Sequence, residues 1–269
     1  MLAVVAGVRF LLATLLVAGC SFDHGVVEDQ PDAGDPGDPT PDADEPTAPL
    51  ACKYPDGALR LCIEFEDHKY TPTTSDASPY QLNAAADEIG EWSRDGQPAA
   101  ATYWNTDVRV PESPMLDIAD AITFETWVRV PVYQYATILA NDGQYGITMD
   151  VYGRVTCHVG SASVTSDPIG TDVWRHVACT YDHEILAVHI DGDTKRCEDE
   201  DSAIPTSGTT GTRIAPGFTA AIDDIHIYAR ALTGAEICTH ANKTACASSC
   251  PGGGFDGGGG GGPGGGHGW

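Results

Sequence analysis

Eight cysteines stand between residues 50 and 250: Cys52, Cys62, Cys157, Cys179, Cys197, Cys238, Cys246 and Cys250. Such thiols can act as nucleophiles, ligate metal or pair. Spacing argues against zinc, because the one tight pair, Cys246-x3-Cys250, sits in a Ser/Ala-rich stretch and not among closely spaced ligand pairs. An even number in an exported chain reads as a set of disulfides whose connectivity stays open. Two pairings have a local argument. Cys52 and Cys62 bracket Pro55-Asp56-Gly57 and would close a loop around it. Cys157 shares a strand face with Val155 and Val159, and Cys179 with Val177 and Tyr181. A disulfide joins these two if their strands are neighbours. Motifs for catalysis are missing: the chain has no G-x-S-x-G nucleophile elbow and no H-E-x-x-H metal helix.

The elements that must position these groups alternate with period two. Leu59, Leu61, Ile63 and Phe65 alternate with Arg60, Cys62, Glu64 and Glu66. Val155, Cys157 and Val159 follow the same rule, as do Leu186, Val188 and Ile190, and then Ile225 and Ile227. Turn signals separate the runs, among them Asn141-Asp142-Gly143, Tyr152-Gly153, Asp191-Gly192-Asp193 and Pro216-Gly217. Only Thr233 to Ala241 reads as a short helix. Many short strands between regular turns predict an all-β fold, an antiparallel sandwich or jelly roll, over residues 50–250.

Four signatures in order give this region a family likeness. They are Ala121-Ile-Thr-Phe-Glu-Thr-Trp-Val-Arg-Val130, Trp174-Arg-His-Val-Ala-Cys-Thr-Tyr-Asp182, Leu186-Ala-Val-His-Ile-Asp-Gly192, and Ala221-Ile-Asp-Asp-Ile-His-Ile-Tyr-Ala-Arg-Ala-Leu232 with Ala235-Glu236-Ile237. From about residue 59 to 238 the chain resembles the laminin-G-like, concanavalin A-like jelly-roll domains of extracellular proteins. It departs from them in its cysteines and in an irregular stretch from Tyr70 to Pro114. Trp127, Trp174 and His176 read as packing or hydrogen-bonding residues inside such a sandwich.

In the resembled fold the first and last strands are antiparallel neighbours. Asp67 follows Phe65 at period two, and Asp223 precedes Ile225 at period two, so both are expected on the core side and close together. Two buried like charges repel, and either a proton or a cation must relieve them. The resemblance implies calcium there, a hard ion that takes oxygen ligands, with Asp76 as a further ligand. The other reading has the aspartates capping turns through backbone N–H groups.

The resemblance implies a binding module for a glycan or a surface protein. Tyr133, Tyr135, Tyr145 and Tyr152 lie near expected loops and form a candidate sugar-stacking surface, with ordinary strand packing as the alternative. Enzymes also occur on this fold. A β-glucanase would carry Glu-x-Asp-x-x-Glu, and neither Glu64-Phe-Glu66-Asp67 nor Glu198-Asp-Glu-Asp201 fits it. A non-enzymatic role is therefore expected. A glycosidase or a purely structural envelope component remain the alternatives.

The ends of the chain speak to location. Residues 10–18 are nearly all apolar, follow Arg9, and run into Leu16-Val17-Ala18-Gly19-Cys20. This resembles the lipobox of bacterial lipoproteins, with residues 1–19 as signal peptide and Cys20 as the acylated first residue of the mature chain. Ser21 in place of Asp implies sorting to the outer membrane or cell surface, so the expected location is the cell envelope. Residues 20–49 form an acidic linker: Asp23 to Pro49 holds nine Asp or Glu and six Pro, with no Lys or Arg. Such a segment has no apolar face to bury and is expected to act as an extended spacer. Residues 251–269 carry 13 glycines and read as a tail. The net charge of −25 excludes nucleic acid, whose phosphates require Lys and Arg. It leaves the lipid as the only expected membrane contact.

Overall fold

The computed structural model describes residues 52–67, 72–87, 89–206 and 208–251. The signal peptide, Cys20, the acidic linker and the tail beyond Pro251 lie outside them. The first strands are β1 (Leu59–Ile63), β2 (Thr73–Thr74), β3 (Ala84–Asp87), β4 (Gly90–Arg94), β5 (Gln97–Thr102) and β6 (Asp107–Val110). Next come β7 (Ile122–Arg129), β8 (Ala136–Asn141), β9 (Tyr145–Met149), β10 (Arg154–Val159) and β11 (Ala162–Pro168). The chain continues through β12 (Trp174–Tyr181), β13 (Ile185–Ile190), β14 (Asp193–Asp199), β15 (Thr212–Ile214), β16 (Ala220–Tyr228) and the helix α1 (Gly234–His240).

Two eight-stranded antiparallel sheets face each other. The first runs β14-β13-β12-β7-β16-β5-β4 with β1 on β16, and the second runs β11-β10-β9-β8-β15-β6-β3-β2. This is the all-β sandwich that the alternation predicts. Phe124, Phe218, Tyr181, Leu61, Ile63 and Ile122 are among its fully buried side chains, each worth ~1.5–3 kcal/mol of burial.

Four disulfides use all eight cysteines of this region: Cys52–Cys62, Cys157–Cys179, Cys197–Cys250 and Cys238–Cys246. Both pairings favoured from the sequence form. The strands of Cys157 and Cys179 are not neighbours, however. β10 belongs to one sheet and β12 to the other, so this bond crosses the core between the sheets.

The stretch from Tyr70 to Pro114, irregular as sequence, holds five strands. Ala84, Ala86 and Ala99 to Ala101 are buried in them, yet alanine has little strand preference of its own. Pairing with β6 and β16 makes these segments strands. A local signal was nevertheless present. Asp95 (φ 53°) and Gly96 (φ 87°) form the Asp-Gly pair of a two-residue hairpin turn between β4 and β5.

The helix starts where expected. Thr233 caps it, accepting from the Glu236 backbone N–H at 3.3 Å, and the Glu236 carboxylate accepts from the Thr233 N–H at 2.7 Å. Arg230 pairs with Glu236 and with Asp56, and its hydrogen bond is the main reason the Glu236 carboxyl is pulled down to about 2. Thr233→Ala is expected to cost ~1 kcal/mol, read as a lower urea midpoint. An unchanged midpoint would show that Arg230 alone fixes the first turn.

Candidate functional site

The outward face of the first sheet is not simply solvated. On β7 it carries Thr123, Glu125, Trp127 and Arg129, with β12 and β16 on either side. Helix α1 and the segment from Cys52 to Leu59 lie over part of it. They seal a second small core of Cys52, Leu59, Cys62, Ala178, Tyr228, Leu232 and Ile237. Sealed in beside this core is a carboxylate among imidazoles. Glu125 is 0% exposed and accepts from His226 Nδ1 at 3.1 Å and His240 Nδ1 at 2.6 Å. His176 Nε2 stands 3.3 Å from its other oxygen. The Tyr54 ring stacks on His240 at 3.9 Å.

The charges in this cluster follow from its geometry. Burial pushes the Glu125 carboxyl up, but the three imidazoles around it, two of them hydrogen-bonded, outweigh burial and hold Glu125 well below the usual carboxylate range. For His226, burial opposes the charge, while Glu125 and Glu64 favour it and lift its pKa to about 9. His226 is therefore an imidazolium at neutral pH. His189, between the Thr180 and Thr194 hydroxyls, is pushed down to about 4, chiefly by burial. It stays neutral. Sealed from solvent, the cluster ties β7, β12, β16 and α1 together and offers no approach to a substrate.

Next to it, Arg94 (6% exposed) places Nε 2.6 Å from Asp223 Oδ2 and also pairs with Asp224. Its guanidinium lies 4.6 Å over the Trp127 ring. This corrects the expected placement of Asp223. The ladder shifts between Asp223 and His226, where Asp224 takes φ 45°. The extra residue turns Asp223 to the outer face beside Trp127, while Ile225 stays in the core. Burial and the neighbouring Asp224 push the Asp223 carboxyl up, and Arg94 opposes them.

The alternation also breaks just beyond β1, at Phe65 with φ 56°. Asp67 accepts from Thr74 Oγ1 and Ser75 N, both at 3.0 Å. Asp76 accepts from Cys62 N (2.8 Å), Ser78 N (2.9 Å), Ser78 Oγ (2.7 Å) and Leu82 N (2.8 Å). These residues do not fit a calcium ion shared by Asp67, Asp76 and Asp223. The position such an ion would take beside Asp223 is filled by a guanidinium.

The accessible chemistry lies where β5, β7, β9 and β11 end and β8, β10, β12 and β16 begin. The loops are tied by backbone bonds, Asp172 N to Val130 O (2.8 Å) and Ile169 N to Gly153 O (3.0 Å). Exposed apolar side chains gather here, notably Tyr103, Trp104, Val132, Tyr135, Val151 and Tyr152. A groove of about 160 Å³ opens between Trp92, Ala101, Tyr103, Arg129, Pro131 and Ala220. Trp92 is 46% and Tyr103 45% exposed, and the Arg129 guanidinium lies 5.0 Å over the Trp92 ring.

Of the tyrosines proposed from sequence, Tyr135 (78% exposed) and Tyr152 (66%) stand out on this end. Tyr133 is half-buried, its ring against Gly153. Tyr145 does not belong to the surface. It begins β9, faces the core against Phe124 and donates to Leu116 O at 3.1 Å, so it is a packing residue. Glu125, His240, Arg94, Trp92 and Tyr103 were missed as a group. Their polar or aromatic spacing reads as ordinary outward positions until α1 is placed over the sheet and the β4–β5 hairpin is added to its edge.

The Laminin_G_3 model, described as the concanavalin A-like lectin/glucanases superfamily, matches residues 102–238. No curated protein matches the chain. Among solved structures, the binding domain of Paraclostridial Mosquitocidal Protein 1 superposes with a TM-score of 0.59 at 15% identity, over 69% of this chain and 52% of that one. A botulinum neurotoxin type C structure, from work on its dependence on two ganglioside molecules for cell entry, gives 0.53 at 13%, over 69% and 51%. A Trypanosoma rangeli sialidase mutant displaying trans-sialidase activity gives 0.55 at 11%, over 71% and 34%. The chain spans about half the length of the first two. At these identities the likeness is one of fold. With the family model covering residues 102–238 and the two-sheet sandwich in place, the chain belongs to the Laminin_G_3 family of the concanavalin A-like lectin/glucanases superfamily.

Proposed function

We propose that this protein is a carbohydrate-recognition module, held at the cell envelope by a lipid on Cys20 and spaced from the membrane by residues 20–49. The observation that carries the reading is the groove at the loop end, where Trp92 and Tyr103 expose ring faces beside Arg129. Flat aromatic faces suit the apolar faces of sugar rings, and a guanidinium suits hydroxyl or carboxylate groups on them. The ganglioside dependence of the type C neurotoxin supports a glycan as the ligand class. A glycosidase is the second reading: a retaining enzyme needs two carboxylates about 5–5.5 Å apart, and among the described residues none lines this groove.

The test is a glycan array probed with the full chain, followed by titration of any ligand found. Trp92→Ala and Tyr103→Ala are each expected to weaken binding about tenfold or more, the ~1.4 kcal/mol of one lost aromatic contact. Tyr145→Phe should leave binding unchanged. Binding that ignores both substitutions would move the ligand elsewhere, and an empty array would favour a protein ligand.

A further inference from the structure

Beneath the N-terminal segment, three potential ligand groups from one short stretch of chain meet a fourth from the distant strand β16. One ligand atom from each of Cys52, Cys62, Glu64 and His226 lies within 4.8 Å of the others. Cys62 Sγ is 3.7 Å from Glu64 Oε1, and His226 Nε2 is 3.8 Å from the same oxygen. A tetrahedral zinc ion with Zn–S of about 2.3 Å and Zn–N of about 2.0–2.1 Å holds its ligands at comparable separations. The four groups therefore surround such an ion after small movements, once the sulfur atoms part.

Two independent observations point the imidazole at this spot. His226 is 1% exposed, and its Nε2 has no hydrogen-bond partner despite being buried. Its Nδ1 is held by the Glu125 carboxylate at 3.1 Å. A carboxylate on the far nitrogen of a histidine fixes the ring and raises the basicity of the near one, as around bound metals. The structure thus contains a two-sulfur, nitrogen and oxygen donor set and its orienting carboxylate, with a disulfide joining the two sulfurs.

We propose that reducing Cys52–Cys62 turns this cluster into a binding site for a zinc-class divalent cation, with Cys52, Cys62, Glu64 and His226 as ligands. The reductant is a dithiol. It gives two electrons and two protons to the disulfide and leaves as its own disulfide. The cation then displaces the two thiol protons and the Nε2 proton of His226 to solvent. Cys52 is at the rim (7% exposed), whereas Cys62 is fully buried, so attack falls on the Cys52 sulfur. Oxidised, the cluster staples the N-terminal segment to β1. Reduced and metallated, it keeps the same segment in place through the ion.

Cobalt(II) is the probe, added to the full chain before and after anaerobic treatment with a dithiol. One equivalent bound with a sulfur-to-cobalt charge-transfer band, only after reduction, is the expected result. Cys52→Ser/Cys62→Ser should abolish the band, and Cys238→Ser/Cys246→Ser should keep it. Glu125→Gln should weaken cobalt binding about 10–100-fold. Glu64→His, which leaves the cysteines intact, should bind more tightly. The proposal is overturned by a band that survives in Cys52→Ser/Cys62→Ser. It is equally overturned by a reduced, folded chain that binds no cobalt, or by reduction that unfolds the sheets even with zinc present.

Discussion

Glu125→Leu is expected to destabilise the fold by about 3–5 kcal/mol at neutral pH, the usual cost of removing one partner from a buried ion pair. For a folded region of this size that lowers the melting temperature by on the order of 10 °C. Glu125 takes hydrogen bonds from His226 and His240 and faces His176, so its loss leaves three imidazoles without their common acceptor. The pH profile identifies the cause. His226 titrates near 9 in the fold and at its ordinary value of about 6.5 when unfolded. Its contribution is complete below about pH 6.5 and disappears as pH rises through 9. Glu125→Leu should remove that alkaline decline. On the acid side, His189 binds its proton only near 4 in the fold, so stability falls as pH drops from about 6.5 to 4 in both proteins. A variant that kept the alkaline decline would show that His226 draws its charge from Glu64 instead.

Arg94→Met is expected to cost a similar ~3–5 kcal/mol at pH 7, for the opposite reason. The shape of the stem is kept, but Asp223 and Asp224, both nearly buried, lose the guanidinium between them. Asp223 already holds its proton more tightly in the fold than in the open chain. Its contribution is therefore most favourable below the ordinary carboxylate value and declines as pH rises. Urea unfolding at pH 7 and pH 4 should show the deficit of Arg94→Met shrinking in acid, where protonation replaces the lost cation. Equal deficits at both pH values would leave only packing against Trp127 as the role of this arginine.

Residues that face one way for a local reason were legible in the sequence. Leu186, Val188 and Ile190 alternate as β13 requires, Asp191-Gly192 turns the chain with both φ positive, and Thr233 opens α1. Gly192 meets a second demand that local reading does not see, since a Cβ there would lie 2.5 Å from Cys246 Sγ. Residues placed by distant elements were not legible. A one-residue shift in β16 moved Asp223 to the other face, and the alanine strands exist only because β6 and β16 pair with them. Glu125 and His226 look like solvent-side residues of alternating strands. What makes them a buried cluster is α1, with the loop from Cys52 beside it. The cysteine pairs show the same divide, because shared apolar faces predicted Cys157–Cys179 but could not say that the bond spans two sheets.

The placement of two disulfides bears on how this domain carries a mechanical load. Near the N-terminal edge of the described residues, Cys52 is bonded to Cys62 in β1. At the other edge Cys250 is bonded to Cys197 in β14, an outer strand of the same sheet. Tension applied to either edge therefore reaches β1 or β14 through a covalent link, and the residues looped between Cys52 and Cys62, or between Cys197 and Cys250, are bypassed by it. The two bonds thus leave only short stretches at either edge of the described residues to extend before a strand itself is loaded.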